Sequence, residues 1–398
     1  MNSWQKILGS SLIVCGTSVG AGMLALPSVT GQVGFLPTMF VMAACWLYMF
    51  LTGLFMAEAT LWMKEANPHV STIAGFFLGV PGKWLCSFLF LFLYVSLLTS
   101  YFSGGVPYFS EMLTGSLGFP ISFKQGALIL AAILIGVLFW GTRVVDRLNL
   151  VLMVGLIATF FMMLLTGSQK VSVANLSYSD WSTLLTPAPI LIGAFGYHNV
   201  VPSLVNYLNK DKRSIALVLI IGTLGPFLIY TAWQAVILGS LPPDSFFRSF
   251  AQGVPVVESV KELYNSESFN FLVIAFSFFA IITSLLGVAL SMVDFLSDSW
   301  KVPNYGWSRF MLSLATVLLP LSISFLKPDL FVEVFGYASG FGEATLNGLF
   351  PIAVAYLGVF SFRLTPQYKL PARKLWLFTL LLCTLLIVGL EAWHILGL

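Results

Sequence analysis

Eleven long apolar runs, separated by short polar or basic loops, leave this chain few folds to choose from. About 20 consecutive apolar residues span a bilayer's hydrocarbon core, and the runs lie at 7–29, 35–62, 83–108, 125–141, 147–167, 185–206, 214–239, 269–293, 307–325, 330–359 and 373–396. Lipid offers no partner to a backbone amide, so each run is expected to be a helix. Composition agrees: 58% of the 398 residues are hydrophobic and only 9% are charged, against about 25% in soluble domains. The expected fold class is an all-α polytopic membrane protein of about eleven transmembrane helices, one transmembrane domain over residues 1–398. The tenth run carries Glu333, Gly336, Gly340, Gly342, Glu343 and Asn347, and is polar enough to be split or to lie partly outside the membrane.

Loop charge gives an orientation. With the N-terminus cytoplasmic, fourteen Lys and Arg fall on the inner side, Arg143, Lys210 and Arg373 among them, and five on the outer. The positive-inside bias therefore places the N-terminus in the cytoplasm and, after an odd number of spans, the C-terminus outside. The net charge of +3 is explained by this bias, and no nucleic-acid partner is implied.

The first run contains Gly16-Thr17-Ser18-Val19-Gly20-Ala21-Gly22-Met23-Leu24-Ala25-Leu26-Pro27. Glycines this dense predict a broken helix, and a break at membrane depth is tolerated where protein, substrate or ion satisfies the freed backbone groups. The sixth run repeats the plan as Ile192-Gly193-Ala194-Phe195-Gly196-Tyr197-His198-Asn199-Val200-Val201-Pro202. An offset of five spans puts the copies in opposite orientations, as in transporters built from inverted repeats whose broken helices meet at midplane. Repeat 1 would cover about 7–167, repeat 2 about 185–359, and 373–396 would be an added helix. Gly16 and Gly20 taken alone also fit small-residue helix packing; two matched runs favour a site.

Other chemistries find less support. Cys15, Cys45, Cys86 and Cys383 all lie in apolar runs without metal-ligand or disulfide spacing, and no metal or cofactor is expected. Gly16-Thr17-Ser18-Val19-Gly20 matches the G-x-S-x-G elbow of hydrolases, but no strand-to-helix turn surrounds it and no acid is placed to orient a histidine. The chain is therefore not expected to be an enzyme. A channel would need a filter repeated around an axis, and a receptor would bind without moving its ligand.

The two broken runs, together with Ala280-Ile281-Ile282-Thr283-Ser284-Leu285-Leu286-Gly287-Val288-Ala289-Leu290, resemble the bacterial hydroxy and aromatic amino acid permeases over spans 1 to 10. The resemblance implies a LeuT-like 5+5 inverted repeat with helices 1 and 6 broken. It implies an inner-membrane symporter for an aromatic amino acid, tyrosine first and tryptophan or another amino acid as alternative, driven by protons or else by sodium.

With that resemblance, the residues suggest one mechanism. Freed N–H groups around Val19, Gly20, Ala21 and Gly22 would hold the substrate carboxylate; carbonyls near Cys15 to Thr17 and Phe195 to Tyr197 would hold its ammonium. Thr17, Ser18, Tyr101, Phe195, Gly196, Tyr197, His198 and Asn199 complete the expected substrate site, with Tyr94 and Ser100 beside Tyr101. Among ionisable residues at membrane depth, Glu343 and His198 are the expected proton carriers, while Glu58 and Asp294 read as interfacial. Thr283 and Ser284 would supply the hydroxyls of a sodium site.

Overall fold

The computed structural model describes residues 3–65, 68–252 and 256–396. Among them ten helices are long and apolar enough to cross a membrane, and eleven spans result when Trp4–Ser18 and Gly22–Val33, bent by 60°, count as one. Span 1 is thus a broken helix. Spans 2, 4, 5, 7, 8, 9 and 11 are Phe35–Trp62, Phe123–Trp140, Thr142–Gly167, Lys212–Ser240, Glu267–Trp300, Gly306–Leu326 and Arg373–Leu396.

Three elements differ from expectation. Span 3 is part of a helix from Val70 to Leu117 that bends at Gly79, whose φ of 70° favours glycine, and Pro81 follows at the start of the second part, where its missing N–H is tolerated. The segment after span 7 forms two short helices, Pro243–Gln252 and Val257–Tyr264. Span 10 is continuous from Phe331 to Ser361, where its glycines and acids suggested a split. Its centre, Ala338–Leu349, winds as a π-helix, a wider turn that keeps backbone hydrogen bonds intact while accommodating Gly340, Gly342 and Gly348.

Apolar contact cannot by itself order helices in lipid, so small residues and interhelical hydrogen bonds set their neighbours. Trp46 Nε1 of span 2 donates to Thr223 Oγ1 of span 7 at 3.1 Å, and Ser100 Oγ of span 3 donates to the Phe331 carbonyl of span 10 at 2.7 Å. Buried Glu58, at the end of span 2, pairs with Arg373 at the start of span 11 and accepts the Tyr368 amide at 3.4 Å. The guanidinium also lies 5.3 Å over the Phe55 ring. Arg373→Met should cost about 3 kcal/mol by stranding that carboxylate, and Glu58→Gln in the same chain should recover most of it. Thermal unfolding of the purified single and double variants checks both.

Candidate functional site

In span 1 the helix stops at Ser18 and restarts at Gly22. The Val19 amide closes the first half on the Cys15 carbonyl and the Met23 amide opens the second on the Gly20 carbonyl, each at 3.0 Å. Between them the Ala21 amide donates to Ser284 Oγ of span 8 at 3.0 Å. The amides of Gly20 and Gly22 have no partner among the described residues. Both positions need glycine for close approach: a Cβ on Gly20 would fall on Ser284 Oγ, and one on Gly22 would sit 3.3 Å from the Ala194 Cα of span 6.

Span 6 breaks beside it. One helix ends at Ala194, a 3₁₀ turn covers His198–Val200, and the helix resumes at Val201. Ser18 Oγ donates to the Gly196 carbonyl at 3.3 Å, so the two breaks touch directly. Span 7 backs them both: the Tyr230 hydroxyl lies 2.7 Å from the Ser18 carbonyl and 2.9 Å from that of Ala194, and Trp233 Nε1 donates to the Met23 carbonyl at 2.8 Å.

These breaks line a cavity of about 430 Å³, within the usual range of about 300–1,000 Å³ for small-molecule sites. Thr17, Ser18, Val19, Gly20, Ala21, Gly22, Gly196 and Asn199 face it, and so do Tyr94, Tyr101, Thr283, Ser284 and Glu343. Phe195, Tyr197 and His198 are not on its wall. The Phe195 ring meets Tyr230 edge-on at 5.4 Å, the Tyr197 hydroxyl donates to the Met49 carbonyl at 3.0 Å in a slot opened by Gly53, and His198 Nε2 lies 3.0 Å from Thr52 Oγ1. The aromatic wall expected from span 6 comes instead from Phe90, Tyr94 and Tyr101 of span 3 and Phe335 of span 10.

Three polar wall residues, Asn149, Ser291 and Asn347, fall outside the expected site. Asn149 is the sole amide side chain in the apolar stretch of span 5, a signal available in the sequence, and its buried Oδ1 has no partner. Asn347, one turn beyond Glu343 on the π-helix of span 10, donates to the Glu343 carboxylate. Among the described residues no Lys, Arg or His lines the cavity, and Glu343 is the one carboxyl on its wall. Glu58 is held by Arg373 and Asp294 accepts from Asn304 Nδ2 at 2.7 Å; neither reaches the cavity. Thr283 Oγ1 donates to the Phe279 carbonyl at 2.8 Å, and Ser284 Oγ, besides accepting the Ala21 amide, donates to Ala280 at 3.2 Å.

Leu12 and Ile13, exposed residues of the N-terminal half of span 1, are among those that line the cavity. Beyond the break, Phe246 of the first loop helix covers Gly31, and the Val256 amide donates to buried Ser28 Oγ at 3.1 Å. With the four native cysteines replaced by serine, Ser291→Cys on the wall should react with a water-soluble maleimide, whereas Val29→Cys, under the loop helices, should stay unlabelled. Mass spectrometry of the intact protein reads both.

The model of the tryptophan/tyrosine permease family matches residues 3–391. A tryptophan-specific transport protein of Pseudomonas aeruginosa is 34% identical over 342 residues, covering 84% of this chain and 82% of its own. The tyrosine-specific transport system 2 of Haemophilus influenzae is 31% identical over 358 residues, 88% of each chain. A protein named glutamine transporter 2, from Aliivibrio fischeri, is 27% identical over 340 residues, 84% of each. These relatives are transport proteins, not enzymes.

Proposed function

The chain belongs to the tryptophan/tyrosine permease family, and from that membership we propose that it is a proton-coupled symporter bringing an aromatic amino acid, tyrosine first, across a bacterial inner membrane. The observation that carries the reading is the convergence of two broken helices on one cavity: unpartnered amides at Gly20 and Gly22, and carbonyl-bearing Ser18, Ala194 and Gly196. A zwitterion carries the complementary groups. Its carboxylate takes the amides at the start of the second half of span 1, where the helix dipole is positive, and its ammonium takes the carbonyls. Phe90, Tyr94, Tyr101 and Phe335 then surround the aromatic ring, with Asn149 Oδ1 a free acceptor for a phenolic or indole proton.

Proton coupling is supported by Glu343. A carboxylate on an otherwise uncharged wall is costly to hold ionised; a proton taken from the outside removes that cost in one half of the cycle and is given up to the inside before the other. His198 is poorly placed for the task, lying off the cavity against Thr52. Sodium is the second reading, with the Thr283 and Ser284 hydroxyls on the cavity wall as its candidate ligands. The five-plus-five inverted repeat and a cytoplasmic N-terminus complete the proposal; in that orientation the N-terminal half of span 1 lies toward the cytoplasm and the two short helices after span 7 lie outside.

The test is uptake of radiolabelled tyrosine into proteoliposomes, with proton and sodium gradients imposed separately and unlabelled Trp, Phe and Gln as competitors. Accumulation should follow the proton gradient, rise as the outside is acidified, and be blocked chiefly by Trp and Phe. Sodium-only accumulation would replace the coupling; competition by Gln alone would replace the substrate. Gly20→Leu should abolish uptake by driving a side chain into Ser284. Glu343→Gln should lose accumulation against a gradient while retaining tyrosine exchange, and unimpaired accumulation would remove Glu343 from the coupling step.

A further inference from the structure

Tyr230 lies behind the cavity wall, fully buried, and does not line the cavity itself. Its hydroxyl oxygen is nonetheless within hydrogen-bond distance of two carbonyls, 2.7 Å from that of Ser18 and 2.9 Å from that of Ala194. These belong to the ends of the first halves of the two broken helices. Helix ends leave their last carbonyls without intrahelical partners, and lipid supplies none. The phenol has one proton to share between the two, and each carbonyl oxygen has two lone pairs, so acceptor capacity remains on both carbonyls, whose residues line the cavity. Phe195 holds the phenol ring edge-on at 5.4 Å, and Trp233, three residues along span 7, secures the restart of span 1 through the Met23 carbonyl.

We infer that Tyr230 is a positioning residue that ties the two helix breaks together and presents the Ser18 and Ala194 carbonyls as a pair to the substrate's ammonium. The tie between the breaks stands on the geometry alone; the service to an ammonium rests on the proposed function. Tyr230→Phe deletes one oxygen and keeps the ring. Thr223→Val, on the same span but bonded to Trp46, is the control for general loosening of span 7.

Amide hydrogen exchange on the purified protein in nanodiscs reads the tie without any substrate. Tyr230→Phe should exchange about tenfold faster in segments 18–23 and 194–200, with Thr223→Val as wild type there. Exchange unchanged in Tyr230→Phe overturns the tie. For the second part, KM for tyrosine should rise about tenfold with kcat little altered, and the preference between tyrosine and tryptophan should stay as in wild type, since both carry the same ammonium. Faster exchange with an unchanged KM overturns the positioning role. Should wild type take up no aromatic amino acid, the proposed function fails while the exchange data still decide the tie. 3-Fluorotyrosine at position 230 keeps the hydroxyl and so the fold; its fluorine resonance should move on addition of tyrosine, and a resonance that stays put overturns the shared acceptor pair.

Discussion

An unpaired backbone group inside a bilayer costs several kcal/mol, and the centre of this protein is organised around meeting that cost at two helix breaks. Three other spans lend polar atoms to the repair. Ser284 from span 8 takes the Ala21 amide, Tyr230 and Trp233 from span 7 reach three carbonyls, and Thr52 of span 2 meets His198 just past the second break. The repair stops short at Gly20 and Gly22, whose amides have no partner among the described residues and which line the cavity. On the proposed reading, a site for a dipolar ligand arises from backbone that the surrounding helices leave incompletely satisfied, and it needs no resident cation.

The same economy explains the polar side chains of the wall. Asn149, Asn199, Asn347, Ser291 and the tyrosines bring dipoles of either sign without net charge, and Glu343 stands alone among them as a group whose charge can change. Its placement on a π-helical stretch sets it, with Asn347, toward the cavity on a span that must also pack Gly342 against Leu93 of span 3.

The spans and both breaks were legible in the sequence because lipid imposes length and apolarity directly, and because clustered glycines at membrane depth have few other uses. The facing of span 6 was not. Whether Tyr197 turns to the cavity or to span 2 depends on the slot that Gly53 opens 144 residues earlier in the chain, and on the Met49 carbonyl at its end. Tyr230 was equally hidden, one aromatic among 36 Phe, 13 Tyr and 11 Trp. Asn149, in contrast, left a trace as a polar side chain in an apolar run. Span 10 was open in the sequence, its glycines compatible with a break or with a continuous run; a wider helical turn absorbs them without freeing the backbone.

The pairing of Glu58 with Arg373 gives the C-terminal span an importance that its lipid-facing surface conceals. The two residues are 315 positions apart, and chains are synthesised at about 5–20 residues per second. Span 2 therefore enters the membrane and waits roughly 15 to 60 s for the guanidinium that matches its carboxylate. Glu58 lies near the end of its helix, where it can remain in water for that interval. Its burial is among the last events of assembly, and the carboxylate is covered only once nearly the whole chain has been made.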